Sequence, residues 1–317
     1  MNPRLPLFFI PLLLFALSAA KGDDAHPFPV ARLRHGDIDL TVTLPEAAHG
    51  YYRSTRFDWS GMMLSARWRG LELLGAHLDS HDPHSPDSAA GTAEEFVSDE
   101  TGDTTSLKIG VGLIRQNEHA SVLADAGHWT WRQFTTALTF HWQSPASSDG
   151  TSCTLEKHIT IPVTGDAFII RRHLTNTGAR LLSGHHYGHN FISIGRVPVG
   201  TDYLLLLPPR LPLTRIMGAD PLLLARGRLR LARELAEDDK LTFSVDCLQP
   251  ADAFVRVIHR RFGTGITIAN DTPAVRFAFY ATRRVFCPEL FTRYDIAPGD
   301  TFTWTTTWTL HPEPDLP

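Results

Sequence analysis

Three consecutive stretches decide the fold class: TWRQFTTALTFHWQ (Thr130–Gln143), TSCTLEKHITIPV (Thr151–Val163) and AFIIRRHLTNTG (Ala167–Gly178). In each, apolar and polar residues alternate with a period of two, which sends alternate side chains to opposite faces of an extended strand. Turn-forming clusters, Ser147-Ser148-Asp149-Gly150 and Asn176-Thr177-Gly178, punctuate them. The same rhythm continues outward. Val30–Leu44 reads as a first strand ended by Pro45, Met62–Gly75 as two strands about the turn Arg69-Gly70, and KIGVGLI from Lys108 as an apolar strand. Downstream, YLLLLP, KLTFSVDCL, FVRVIHRRF, GITIAN, VRFAFYAT and FTWTTTWTL read as strands. RLRLARELA alternates from Arg228 to Arg233 and is read as a strand rather than a short basic helix. A βαβ rhythm, a glycine-rich phosphate loop and a long helical segment are all missing from the pattern. The expectation is all-β: a large antiparallel β-sandwich.

The N-terminus has a different character. Arg4 is followed by LPLFFIPLLLFALSAA, then by the polar Lys21-Gly22-Asp23-Asp24. The apolar run is too short, and too interrupted by Pro6 and Pro11, for a membrane span, while Ser18-Ala19-Ala20 offers the small residues of a cleavage site. Residues 1–20 are therefore expected to be a signal peptide, with 21–317 as one sandwich domain exported to the periplasm or beyond and not membrane-bound after cleavage. A formal charge of −4 shows no basic excess, which argues against a nucleic-acid partner. Cys153, Cys247 and Cys287 are too few for a disulfide framework and are read as small core residues. Oligomeric state is not legible.

The chemistry gathers in SGHHYGHNFISIG, Ser183–Gly195. On a strand His185, Tyr187, His189 and Phe191 share one face, a set costly to bury without partners. Such a face suits a saccharide, with donors and acceptors for hydroxyls and a ring for the apolar sugar face. A chelating pair of histidines or a solvent-facing strand end are the other readings. Arg56, in the aromatic-rich YYRSTRFDWSG (Tyr51–Gly61), and Lys108 are cations in aromatic or apolar surroundings and candidates for an acidic ligand group. GTAEEF (Gly91–Phe96) sets Glu94 and Glu95 beside an aromatic residue. HLDSHDPHSPDSAA (His77–Ala90) reads as a loop whose histidines match no tetrahedral metal spacing.

Taken in order, YYRSTRFDWSG, GTAEEF, KIGVGLI, the Asn176-Thr177-Gly178 turn, YGHNFISIG and CPELFTRYDIAPGDTFTW resemble the galactose mutarotase-like superfamily, the β-sandwich of aldose 1-epimerases, in an uncharacterised bacterial branch. The resemblance spans about Tyr51 to Leu310. It implies a general acid at His189, with Phe191 in the aromatic position and Ser193 where the family has Asn. It implies a general base at Glu289, ahead of Pro298-Gly299. The early active-site His of many aldose 1-epimerases has no counterpart in GTAEEF, where Glu95 is the candidate neighbour of the site.

The functional expectation is a carbohydrate-active protein, an aldose 1-epimerase-like isomerase working by Glu/His acid–base catalysis on a mono- or oligosaccharide, neutral or acidic, with neither metal nor organic cofactor. The catalytic pair is His189 and Glu289, and the substrate-binding set is Arg56, Glu95, Lys108, His185, Tyr187 and Phe191. A non-catalytic sugar-binding sandwich is the alternative. A polysaccharide lyase using Tyr187 beside His189 is a weaker one.

Overall fold

The computed structural model describes residues 26–99, 105–117, 121–208, 221–225, 227–246 and 253–313. Among them every named strand pairing is antiparallel, and the only helices are two three-residue 3-10 turns. The strands form sheets of ten, five, four and three. The expected all-β sandwich is what the chain adopts. The expected signal peptide and Cys247 lie outside the described residues, while Cys153 and Cys287 are buried free thiols.

Three expected strands are hairpins instead. The first of the diagnostic stretches, Thr130–Gln143, reverses at residues 134–136, so that His128–Gln133 pairs with Ala137–Gln143. Val30–His35 and Ile38–Thr43 pair with each other across Gly36-Asp37, and Thr105–Lys108 pairs with Gly112–Gln116 across a tight turn. In both, glycines at positive φ (Gly36, Gly110) reverse the chain within what otherwise reads as continuous alternation. The Arg69-Gly70 turn forms where expected, with both residues at positive φ, joining Met63–Trp68 to Leu71–Glu72.

The ten-stranded sheet holds the three diagnostic stretches side by side. Ala137–Gln143 pairs with Cys153–Thr160, which pairs with Ala167–Asn176, which pairs with Thr301–Pro312. Alternation buries Cys153, Leu155, Lys157 and Ile159 from one strand, and Phe168, Ile170, Arg172 and Leu174 from the next. Two cations thus point into the core, and the register sets Lys157 directly opposite Arg172. Like charges so placed repel unless acids intervene.

The five-stranded sheet brings one of those acids. Its order is Leu241–Asp246, Ala274–Ala281, Phe286–Ile296, Leu182–Asn190, Thr92–Ser98. Glu94 on its edge strand takes Arg172 through both carboxylate oxygens (Nε at 3.0 and 2.9 Å, with Nη2 also in contact) and Lys157 at 2.8 Å. Lys157 also reaches Asp58, at 2.6 Å, and the Ser60 carbonyl, at 2.9 Å. None of these four charged side chains is more than 3 % exposed. Burial opposes the Glu94 charge, but Arg172 and Lys157 outweigh it and hold its carboxyl well below the usual range. For Asp58 burial prevails over Lys157, and its carboxyl is raised. His186 completes the cluster. Its Nδ1 accepts a hydrogen bond from Trp304 Nε1 at 3.1 Å, and its Nε2 lies 3.4 Å from Glu94.

Removing one partner leaves uncompensated buried charge. Arg172→Met should therefore lower unfolding free energy by about 3–5 kcal/mol in urea titration; a loss under about 1 kcal/mol would mean the cluster contributes little. Burial pushes the His186 pKa down to about 4, against about 6.5 in an unfolded chain. The unfolded state then takes the proton first, so this residue's share of stability is whole above about pH 6.5 and is lost as pH falls toward 4. His186→Gln should flatten that part of the pH–stability curve.

Candidate active site

Strand alternation divides Glu94 from Glu95. Glu94 turns into the core, and Glu95 emerges on the other face, opposite Tyr187. The same rule turns His186 inward and Tyr187 and His189 toward the outer face. The neighbouring strand carries Glu289. Its pairing with Leu182–Asn190 runs to His186 opposite Thr292 and resumes in the same register at Ile192 opposite Phe286. That register sets His189 level with Glu289. Pro288, which has no N–H, falls within the lapse, and the Asn190 side chain bridges it by donating Nδ2–H to the Pro288 carbonyl at 2.7 Å.

His189 Nδ1 lies 3.0 Å from Glu289 Oε1, off the hydrogen-bond direction, so both buried atoms are left without a hydrogen-bond partner among the described residues. The two side chains are 11 % and 7 % exposed and line one cleft of about 400 Å³. That volume is in the range of small-molecule sites. Two larger clefts, of about 470 and 430 Å³, lie elsewhere, and no described histidine lines either. Aromatic rings frame the His189 imidazole: Phe191 stacks on it at 4.7 Å, while Phe57 and Tyr280 meet it edge-on at 5.8 and 5.9 Å.

The other expected site residues distribute unevenly. Arg56, Tyr187 and Phe191 line the cleft with His189 and Glu289. Glu95 stands behind them as a hub, accepting from Tyr187 OH at 2.5 Å, Arg56 Nε at 3.0 Å and Lys108 Nζ at 2.9 Å. Arg56 also pairs with Asp87 at 2.6 Å. Lys108 therefore supports the rim and is not among the lining residues. Phe191 lines the cleft and also stacks on His189 and His77, bracketing the two imidazoles. His185 is not in the cleft; it faces Asp99 at 3.5 Å. Four residues of strand before His189 put it about 13 Å away, beyond one sugar ring.

The charge balance differs from a reading of Arg56 and Lys108 as free cations, because both are held by internal acids. Burial works against the Glu95 charge, yet Lys108, Tyr187 and Arg56 together hold its carboxyl below the ordinary value. Burial, then Glu95 and Glu289, push the Tyr187 phenol far up, so it stays protonated. Among the described residues no group of three or more His, Cys, Asp or Glu is arranged to hold a metal ion.

Sequence reading missed His77, Asp87, Lys240 and Tyr280, which also line the cleft. Tyr280 lies on a recognised strand, two residues beyond Ala278, which pairs with Glu289, so register would have found it. His77 and Asp87 arrive on the His77–Ala90 loop. Binding groups commonly sit on loops held by a rigid scaffold, but no periodicity points to them.

No family model and no curated protein matches the chain. Solved structures match across nearly its whole length. A galactose mutarotase-like protein of Lactobacillus casei is 11 % identical, with 89 % of this chain and 100 % of that one covered at a TM-score of 0.58. An aldose epimerase homologue of C. elegans is 12 % identical over 90 % and 99 %, at 0.59. A galactose mutarotase related enzyme of Lactobacillus acidophilus is 10 % identical over 91 % and 100 %, at 0.56. The chain has the galactose mutarotase-like β-sandwich fold.

The Glu95 hub makes a testable claim about charge. Glu95→Gln leaves Arg56 and Lys108 without their shared acid, so a uronic acid should gain on its neutral parent sugar by several-fold. That gain should fade between 50 and 500 mM salt. An unchanged preference in calorimetric titration would show that these cations do not reach the ligand's field.

Proposed function

We propose that this protein is an aldose 1-epimerase-like isomerase that interconverts the anomers of a sugar, with Glu289 and His189 as its acid–base pair. The observation that carries the reading is the 3.0 Å approach of His189 to Glu289 in the lining of one sugar-sized cleft, with neither of the two approaching atoms hydrogen-bonded among the described residues. The fold, shared with epimerase-like proteins at low identity, agrees with it.

The reaction asks little beyond two proton transfers. The Glu289 carboxylate takes the proton of the anomeric hydroxyl while the His189 imidazolium gives one to the ring oxygen. The bond between the anomeric carbon and the ring oxygen breaks, giving an open-chain aldehyde with neutral imidazole and protonated carboxyl. The carbonyl end rotates, the original ring hydroxyl adds to its other face, and the protons return along the reverse routes. Substrate entry has to part the pair. The His189–Glu289 ion-pair contact is given up when it does, and sugar oxygens can satisfy both groups in its place.

A lyase reading would use Tyr187 as a phenolate base. Burial and two carboxylates hold that phenol protonated, and it is already committed to Glu95, which speaks against it. The paired charges of Arg56 and Lys108 favour a neutral sugar over an acidic one. The apolar N-terminal run supports export, so we place the activity in the periplasm or outside the cell; cleavage of residues 1–20 is checked by mass spectrometry of the secreted chain.

Glu289→Gln should cut the rate of anomer exchange by about 10²–10⁴ while sugar affinity changes little, because Gln keeps the shape but cannot take the proton. Polarimetry and saturation-transfer NMR on freshly dissolved aldoses read it. A wild-type protein that binds sugars without speeding mutarotation would instead support the non-catalytic binding reading.

A further inference from the structure

His189 is not the only imidazole in the cleft. His77 lines the same space from the opposing loop, and its ring stacks on Phe191 at 5.4 Å, the residue that also stacks on His189. Tyr280 meets both imidazoles, at 5.6 and 5.9 Å.

The arrangement is built into the backbone. Gly75 N–H donates to the Phe191 carbonyl at 2.9 Å, Phe191 N–H to the Gly91 carbonyl at 2.8 Å, and Gly91 N–H to the Gly75 carbonyl at 2.9 Å. His77 N–H then closes the loop on the Ala89 carbonyl at 3.0 Å. The loop that carries His77 is thus rooted on the backbone of Phe191 itself. Its interior is stapled as well. Tyr52 OH donates to the Pro86 carbonyl at 2.9 Å, and His81 lies flat on Tyr51 with ring centroids 4.0 Å apart. Gly91 is needed at the root: it has positive φ, and a Cβ there would strike the Met63 carbonyl.

The Nδ1 atom of His77 is buried and has no hydrogen-bond partner among the described residues. Such an atom needs a reason, and in a ligand cleft the ready one is a ligand.

We infer that His77 is a second substrate-contacting group of the cleft, holding a hydroxyl of the sugar beside His189 as a neutral hydrogen-bonding imidazole. This rests on the sugar-cleft reading and assigns His77 to recognition, leaving proton transfer with His189 and Glu289. Neutrality follows from its surroundings. Burial and then His189 lower its pKa from the ordinary value, Arg56 and Lys240 add to this, and Asp87 only partly opposes them. A neutral ring offers one donor and one acceptor, which is what a hydroxyl needs.

His77→Phe and His77→Gln separate recognition from packing. Phe keeps the stack on Phe191 and discards the polar atoms, whereas Gln keeps a donor and an acceptor. Binding is read by calorimetric titration against glucose, galactose, mannose, N-acetylglucosamine and glucuronic acid, and turnover by saturation-transfer NMR. His77→Phe should weaken the Kd and raise the KM of the best sugar by about 10-fold, with kcat within about 3-fold and thermal unfolding unchanged. His77→Gln should recover most of the affinity. Across the monodeoxy forms of that sugar, one should bind wild type and His77→Phe equally, because it lacks the hydroxyl that His77 holds. Wild-type affinity in His77→Phe, or equal loss in both variants, would overturn the inference. Binding without turnover in wild type would remove the isomerase reading and leave the affinity test standing. Binding of no sugar in the panel would overturn both.

Discussion

Lys157 and Arg172 face each other on adjacent strands of the large sheet with their charges turned into the core, and the molecule is organised around answering them. Neither the apolar interior nor solvent can do so. The answer is Glu94 from the opposing sheet and Asp58 from the segment before it, each within 3.0 Å of a cation. A buried ion cluster of this kind is weak evidence for stability, because desolvation offsets much of the attraction. Its consequence is geometric. Glu94 can occupy one place only, so the edge strand Thr92–Ser98 is held in register against the Leu182–Asn190 strand.

The site follows from that constraint through alternation. With Glu94 facing in, Glu95 must face out, beside Tyr187. With His186 facing in, against Trp304 and Glu94, His189 must turn to the cleft. The unbroken register of the next strand then brings Glu289 level with His189. A one-residue slip in either strand would exchange the buried set for the cleft set. The charges in the core and the chemistry at the surface are thus two faces of the same pair of strands, and the Glu95 hub repeats at the rim the balancing of cations that Glu94 performs inside.

Much of this was legible in the sequence, and the gaps have physical causes. Period-two alternation identified most strands of the large sheet, Leu222–Ala225 excepted, but turns at Gly36, at Gly110 and at residues 134–136 hid inside it, since a two- or three-residue reversal barely disturbs the pattern. Lys157 and Arg172 fall in step with Leu155, Ile159, Ile170 and Leu174, so inward cations were written in the alternation; what answers them comes from segments some sixty to a hundred residues away, where no local rule reaches. Tyr187, His189 and Phe191 reach the cleft as their shared face requires. His185 shares that face and still misses the cleft, because a face says nothing of distance along it. His77 was invisible as a site residue because its position depends on a loop root clamped to Phe191, a contact more than a hundred residues distant in sequence.

The most direct test of the account is the structure of the protein in complex with the aldose that binds it best. One sugar is expected in the cleft between the Glu95–Tyr187 rim and Tyr280, with its anomeric hydroxyl within hydrogen-bond reach of Glu289 and its ring oxygen within reach of His189. A sugar bound in that cleft with its anomeric centre directed away from both residues, or bound only in another cleft, would contradict it.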